Sequence, residues 1–162
     1  MVDGASVLGL ASDLSLLSAL AVAPVFLLWF TRAYGALSAI GAARRHRASW
    51  ALGAWFIPLV NLVAPVRVAR EIWRGTRADR GVAVPSAWWL LLVAGVTAGL
   101  TGSRAYERSS DIDGLIAANR LIIAADLAMA IAALLAIHMV ASVTRAIAQA
   151  DPQGAGERPT AE

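Results

Sequence analysis

Four stretches of this chain, Leu14 to Thr31, Ala48 to Val66, Val82 to Ser103 and Leu121 to Thr144, each run 18 residues or more almost without a charge. A helix needs roughly 20 apolar residues to cross about 30 Å of hydrocarbon, so each run is long enough to span a bilayer. With 59% hydrophobic and 15% charged residues among 162, the chain is also too apolar to be solvated as an ordinary soluble domain. The runs lack the alternating polar pattern of a membrane barrel. The expectation is an all-α integral membrane helical bundle: one membrane domain over residues 1–150, with segments at about 14–36, 48–66, 84–103 and 115–146. Residues 151–162, DPQGAGERPTAE, have no periodic apolar face and are expected to be disordered.

All fourteen cations are Arg, a bias of GC-rich bacterial coding, so the expected location is a bacterial cell membrane crossed several times. The net charge of +3 does not point to nucleic acid, because the arginines flank apolar runs instead of alternating with exposed aromatics. There is no Cys, hence no disulfide, thiolate nucleophile or Cys-ligated metal. The first run resembles a signal peptide in its small residues Ala21 and Ala23. However, Asp3 and Asp13 precede it without a cation, so it is read as an uncleaved anchor in which Pro24 introduces a kink.

Arginine placement tests the topology, because cytoplasmic flanks carry the excess. Four follow the first run (Arg32, Arg44, Arg45, Arg47) and five the second (Arg67, Arg70, Arg74, Arg77, Arg80). Three follow the third run (Arg104, Arg108, Arg120) and two close the chain (Arg145, Arg158). Four full crossings divide them seven against seven. If the second run re-enters on its own side, the division is eleven against three. That run, WALGAWFIPLVNLVAP, carries Pro58, Asn61 and Pro65, which interrupt backbone hydrogen bonding. A kinked crossing and a re-entrant dip therefore both stand, with the amino terminus outside preferred.

After Pro65 the pattern changes. Arg67, Arg70, Arg74 and Arg77 share one quadrant of a helix, with Val68, Ala69, Ile72 and Trp73 opposite. This predicts an interfacial amphipathic helix to about residue 77, its cations toward anionic headgroups and Trp73 at the boundary. Trp50, Trp55, Trp88 and Trp89 are read as interface anchors. Gly95 and Gly99, extended by Ala98 and Gly102, form a ridge that lets helices approach closely. Ala124, Ala128, Ala132 and Ala136 are the expected facing surface of an antiparallel partner, although the same ridge would also serve a homo-oligomer or another membrane protein.

Asp126 is the costly residue. Near the centre of a spanning helix a carboxylate costs at least about 2.5 kcal/mol. Asn119 lies on the same face, and Asn61 is placed to meet them, so these three form a candidate polar membrane core. They serve either a structural hydrogen-bond network or a small transporter or channel. His46 and His138 lack metal-ligand spacing, and Ser15, Ser18 and Ser38 lack any nucleophile context. No enzyme, cofactor or metal is expected. The leading expectation is a non-enzymatic component that binds lipid or a protein partner.

The strings FLLWFTRAYGAL and WALGAWFIPLVNLVAPVRVAREIW, then the Trp88-Trp89 pair, resemble the actinobacterial domain-of-unknown-function family 4328. The match runs from about Phe26 to Trp89, with a weaker continuation to VTRAIAQ. Its specific part is Trp55 to Pro65 followed by Glu71-Ile72-Trp73-Arg74. Gly35 and Ala36 depart from it where an amide side chain is expected. The resemblance implies a small multi-helix membrane protein and no particular activity.

Overall fold

The computed structural model describes residues 4–42, 53, 57–76 and 81–150. Among them the elements are α1 (Gly4–Ala36), the single turn α2 (Pro58–Asn61), α3 (Ala64–Thr76), α4 (Ala83–Arg108) and α5 (Ile112–Ala150), with no strand. The all-α expectation holds. Two of the helices, α4 and α5, are long and apolar enough to cross a membrane. The helices overrun the apolar segments read from the sequence, beginning at 4 instead of about 14 and at 112 instead of about 115. Helical hydrogen bonding continues past the apolar stretch wherever nothing stops it.

The stops have local causes. Helix α1 runs through Pro24 to Ala36 and is closed by Gly41, whose φ of +72° lies in the left-handed region. The Ala42 amide then donates to the Leu37 carbonyl at 2.8 Å, satisfying a carbonyl the ending helix would leave unpaired. Asp111 opens α5 by accepting from the Gly114 amide at 3.1 Å, so that only three residues separate α4 from α5. Pro58 and Pro65 stand in the first turns of α2 and α3, where a missing donor costs nothing. They start short helices on either side of a break at Leu62-Val63 and do not kink a single one.

The α4–α5 hairpin is the main helix contact. A Cβ on Gly102 would lie 2.9 Å from Ile122 Cγ1 and 3.3 Å from the Ala118 carbonyl oxygen. One on Gly95 would lie 2.8 Å from Met129 Cγ and 3.2 Å from the Ala125 carbonyl oxygen. As α4 advances from Gly95 to Gly102 the contacts on α5 retreat from Met129 to Ala118, which makes the pair antiparallel, as expected. The facing surface shares Ala132 with the expected one and otherwise differs. Ala118, Ala125, Ala132 and Met139 are buried, whereas Ala124 is exposed. The seam repeats every seven residues, the period that keeps one face of a helix against a coiling neighbour, and a strict four-residue ladder drifts off that face.

One end of the molecule holds the rest of the core. Here α3 packs against the last turns of α1, the first turns of α4 and the last turns of α5. Phe30, Tyr34, Leu37, Val68, Ala69, Ile72 and Trp73 are all nearly or fully buried. Phe26 and Trp88 have ring centroids 5.7 Å apart, and Trp29 Nε1 donates to Thr144 Oγ1 at 3.1 Å, tying α1 to both long helices.

Candidate functional site

The sequence of α3 has two faces, and the structure uses them separately. Val68, Ala69, Ile72 and Trp73 are each no more than 2% exposed, while Arg67 and Arg74 project from the opposite side. The apolar face is covered by α1, α4 and α5, not by a lipid boundary. This corrects the expectation of Trp73 at the membrane boundary. The helix has three protein neighbours at this end, and burying a full apolar stripe against them removes it from water and lipid alike. Arg77 lies outside the described residues, as do Trp50, Trp55 and His46.

Polar contacts hold α3 in place. Tyr34 Oη on α1 donates to Glu71 Oε2 at 2.8 Å, and Arg70 Nε donates to Ser86 Oγ on α4 at 3.0 Å. Ser86 Oγ in turn donates to the Val82 carbonyl. Trp73 Nε1 donates to the Gly81 carbonyl at 3.2 Å, and its ring lies 6.0 Å from that of His138. At the other end of α3, Trp89 Nε1 donates to the Leu62 carbonyl at 2.9 Å, where the break leaves that oxygen without a helical partner. Trp88 and Trp89 are thus packed inside the protein, at 4% and 8% exposure, and do not serve as interface anchors. Their ring area is spent on Phe26 and on the broken backbone.

The three candidate polar residues do not converge. Asn61 sits beside Leu62 at the level of Trp89. Asp126 adjoins Ala125, whose Cβ lies 3.6 Å from the Cβ position of Gly99, ten residues further along α4. At 1.5 Å per residue that separation is about 15 Å along the helix. Asn119 and Asp126 share a face, as expected, but that face points outward and both are exposed. The seven-residue seam explains this. It turns Ala118 and Ala125 inward, so the residues one position later are carried to the outer side. Asn61 Oδ1 is buried and accepts no hydrogen bond from the described residues.

The charged end is what the fold assembles: Arg67 and Arg74 exposed, Arg70 half-buried and fixed by Ser86, and Glu71 fixed by Tyr34. Among the described residues no group of three or more His, Asp or Glu side chains is close enough to hold a metal ion. Sequence reasoning missed Tyr34, Ser86 and Gly41. Only Gly41 carried a readable signal, a glycine shortly after a helix.

These features define a class, a small all-helical protein with two helices long and apolar enough to cross a membrane and a cationic helix packed at one end. Within that class the chain belongs to the family described as domain of unknown function (DUF4328), whose model matches residues 2–145. No curated protein and no solved structure matches it.

Proposed function

We propose that this is a non-enzymatic, multi-pass protein of the bacterial cell membrane that binds anionic lipid, or a membrane partner, through the arginine face of α3. The observation that carries the membrane reading is the burial of the most apolar helix. Only 11% of the most apolar 18-residue window of α5 is buried, whereas the core helix of a soluble protein would be mostly covered. Leu100, Leu127, Leu134 and Ile137 are each more than half exposed. So much contiguous apolar surface is a lipid contact or a partner contact. The exposed hydroxyls agree, since Thr97 and Thr101 return their hydrogens to carbonyls four residues back, at 2.8 Å each. On this reading α1, α4 and α5 cross the membrane.

Lipid binding at α3 draws support from the division of labour along that helix. Its apolar face is used up on protein, so the exposed Arg67 and Arg74 remain for phosphates, each contributing about 1 kcal/mol near an anionic leaflet. The test is native mass spectrometry of the detergent-solubilised protein with phosphatidylglycerol or phosphatidylcholine. Preferential retention of phosphatidylglycerol, lost in stages in Arg67→Gln and Arg67→Gln/Arg74→Gln, supports the reading. Equal retention of both lipids removes the headgroup site. A protein that is monomeric and soluble without detergent removes the membrane assignment itself.

A small transporter or channel component is the second reading, favoured by the unsatisfied Asn61 Oδ1. It assigns roles to Asn61 and Asp126, which the fold holds apart. Ion flux in proteoliposomes that disappears in Asp126→Asn would favour it.

A further inference from the structure

We infer that Ala42 and Gly81 stand on the same side of the membrane, and that exposed Ile57, Leu62 and Val63 form an apolar tip inserted into the leaflet whose headgroups meet the arginines of α3. The inference rests on the membrane reading above and adds to it a topology and a lipid-contact surface.

The end of α1 and the start of α4 both reach α3. The closure at Gly41 folds Ala42 back against α3, where its Cβ lies 3.2 Å from the Cβ position of Gly75. On the far side of the gap, the Leu62 carbonyl is held by Trp89, six residues into α4, and Gly81, just before α4, is held by Trp73. The end of α1 and the start of α4 are therefore at the same end of the molecule, with α3 between them.

With α1, α4 and α5 spanning, Gly4 and Ala150 then lie on opposite sides of the bilayer.

The described residues before α3 suit insertion from that side. Ile57, Leu62 and Val63 are 51%, 56% and 44% exposed, and the next exposed side chain along the chain is Arg67. The α3 helix runs from the level of Trp89 back toward Gly81, so the apolar residues are the deeper ones and Arg74 the shallower. Apolar below and cationic above is the order of acyl chains and phosphates in one leaflet, which identifies lipid as the occupant. Arginine placement supports this independently. Among the described residues, Arg32, Arg67, Arg70, Arg74 and Arg145 fall on that side and Arg104, Arg108 and Arg120 toward the other, the excess that marks the cytoplasmic face.

The test uses the full chain with single cysteines, which the native sequence lacks entirely. Arg45→Cys, Arg74→Cys and Ser110→Cys are treated with an impermeant maleimide in intact cells and again after permeabilisation. Positions 45 and 74 are expected to label only after permeabilisation, and position 110 beforehand. Labelling of 45 and 74 from opposite sides overturns the inference. Ser38→Cys replaces Arg45→Cys if the latter does not accumulate. A nitroxide at Leu62→Cys is expected to be relaxed by oxygen more than by a polar nickel chelate, with the preference reversed at Arg74→Cys. A spin label at 62 shielded from both reagents means that protein covers the tip and overturns the lipid assignment. Release of the parent chain from membranes by alkaline carbonate is a separate result, which sinks the membrane reading itself.

Discussion

Tyr34 and Glu71, 37 residues apart, meet through a 2.8 Å hydrogen bond that joins the last turns of α1 to the middle of α3. Tyr34 is fully buried, and the carboxylate it serves lies on a helix whose opposite face carries exposed arginines. The contact fixes α3 against α1, and with it the direction in which Arg67 and Arg74 point.

Tyr34→Phe keeps the ring packing and deletes the donor. Hydrogen bonds to charged groups are worth about 1.5–3 kcal/mol, and the partial exposure of Glu71 reduces this to about 1 kcal/mol. Thermal unfolding in detergent should show a lowered midpoint for Tyr34→Phe and a smaller loss for Glu71→Gln, which keeps an acceptor. Equal midpoints for Tyr34→Phe and the parent would show that the bond contributes nothing to stability.

The three glycines of α4 should rank by what their new Cβ meets. Gly99→Ala places it 3.6 Å from Ala125 Cβ, an ordinary contact, and should be neutral. Gly95→Ala displaces the flexible end of Met129 while also approaching the Ala125 carbonyl oxygen. Gly102→Ala meets Ile122 Cγ1 at 2.9 Å and backbone atoms at 3.2 and 3.3 Å, so it should be the worst, at about 1–3 kcal/mol. Unfolding midpoints in the order Gly99→Ala, Gly95→Ala, Gly102→Ala, from highest to lowest, are expected. Loss of folding in Gly99→Ala would contradict the register of the hairpin.

Gly41 has open space around its Cβ position, so Gly41→Ala probes backbone conformation alone. Holding alanine at φ +72° costs about 1–2 kcal/mol. Asparagine tolerates this region better, so Gly41→Asn should recover part of the loss in the same unfolding assay. Identical behaviour of the two variants would mean that the turn is not required.

Asp126→Leu should leave stability within about 0.5 kcal/mol of the parent, because the side chain projects from the outer face of α5 and ties nothing together among the described residues. A large destabilisation would show that a second molecule, or a contact formed only in lipid, satisfies the carboxylate.

Periodicity and apolar length made the helices legible, and the hairpin of α4 and α5 followed from Gly95, Gly99 and Gly102. The facing residues were not legible. Alanine recurs so often in α5 that spacings of four and of seven both occur, and packing against α4 selects between them. The amphipathic pattern of α3 revealed which residues share a face, but not whether lipid or protein would cover Trp73. A hydrophobic stripe is the same in either environment, and the choice depends on α1 returning to it 37 residues away in sequence. Asn119 and Asp126 were grouped by helix face, and Asn61 was joined to them on chemistry alone. Their depths and directions are set by the turn at Leu62-Val63 and by the seam of α5, neither of which is written in those residues.

The heptad seam of α5 makes its far end sensitive to phase. Adding one residue near Ala130 would advance every later side chain by about 100° around the axis. His138 would leave Trp73, Thr144 would leave Trp29, and Met139 would swing out of the interior, although no contact of Gly95 or Gly102 would change. The hairpin would survive while the cationic end lost its footing, so the register of one helix governs whether the two halves of the molecule work as one piece.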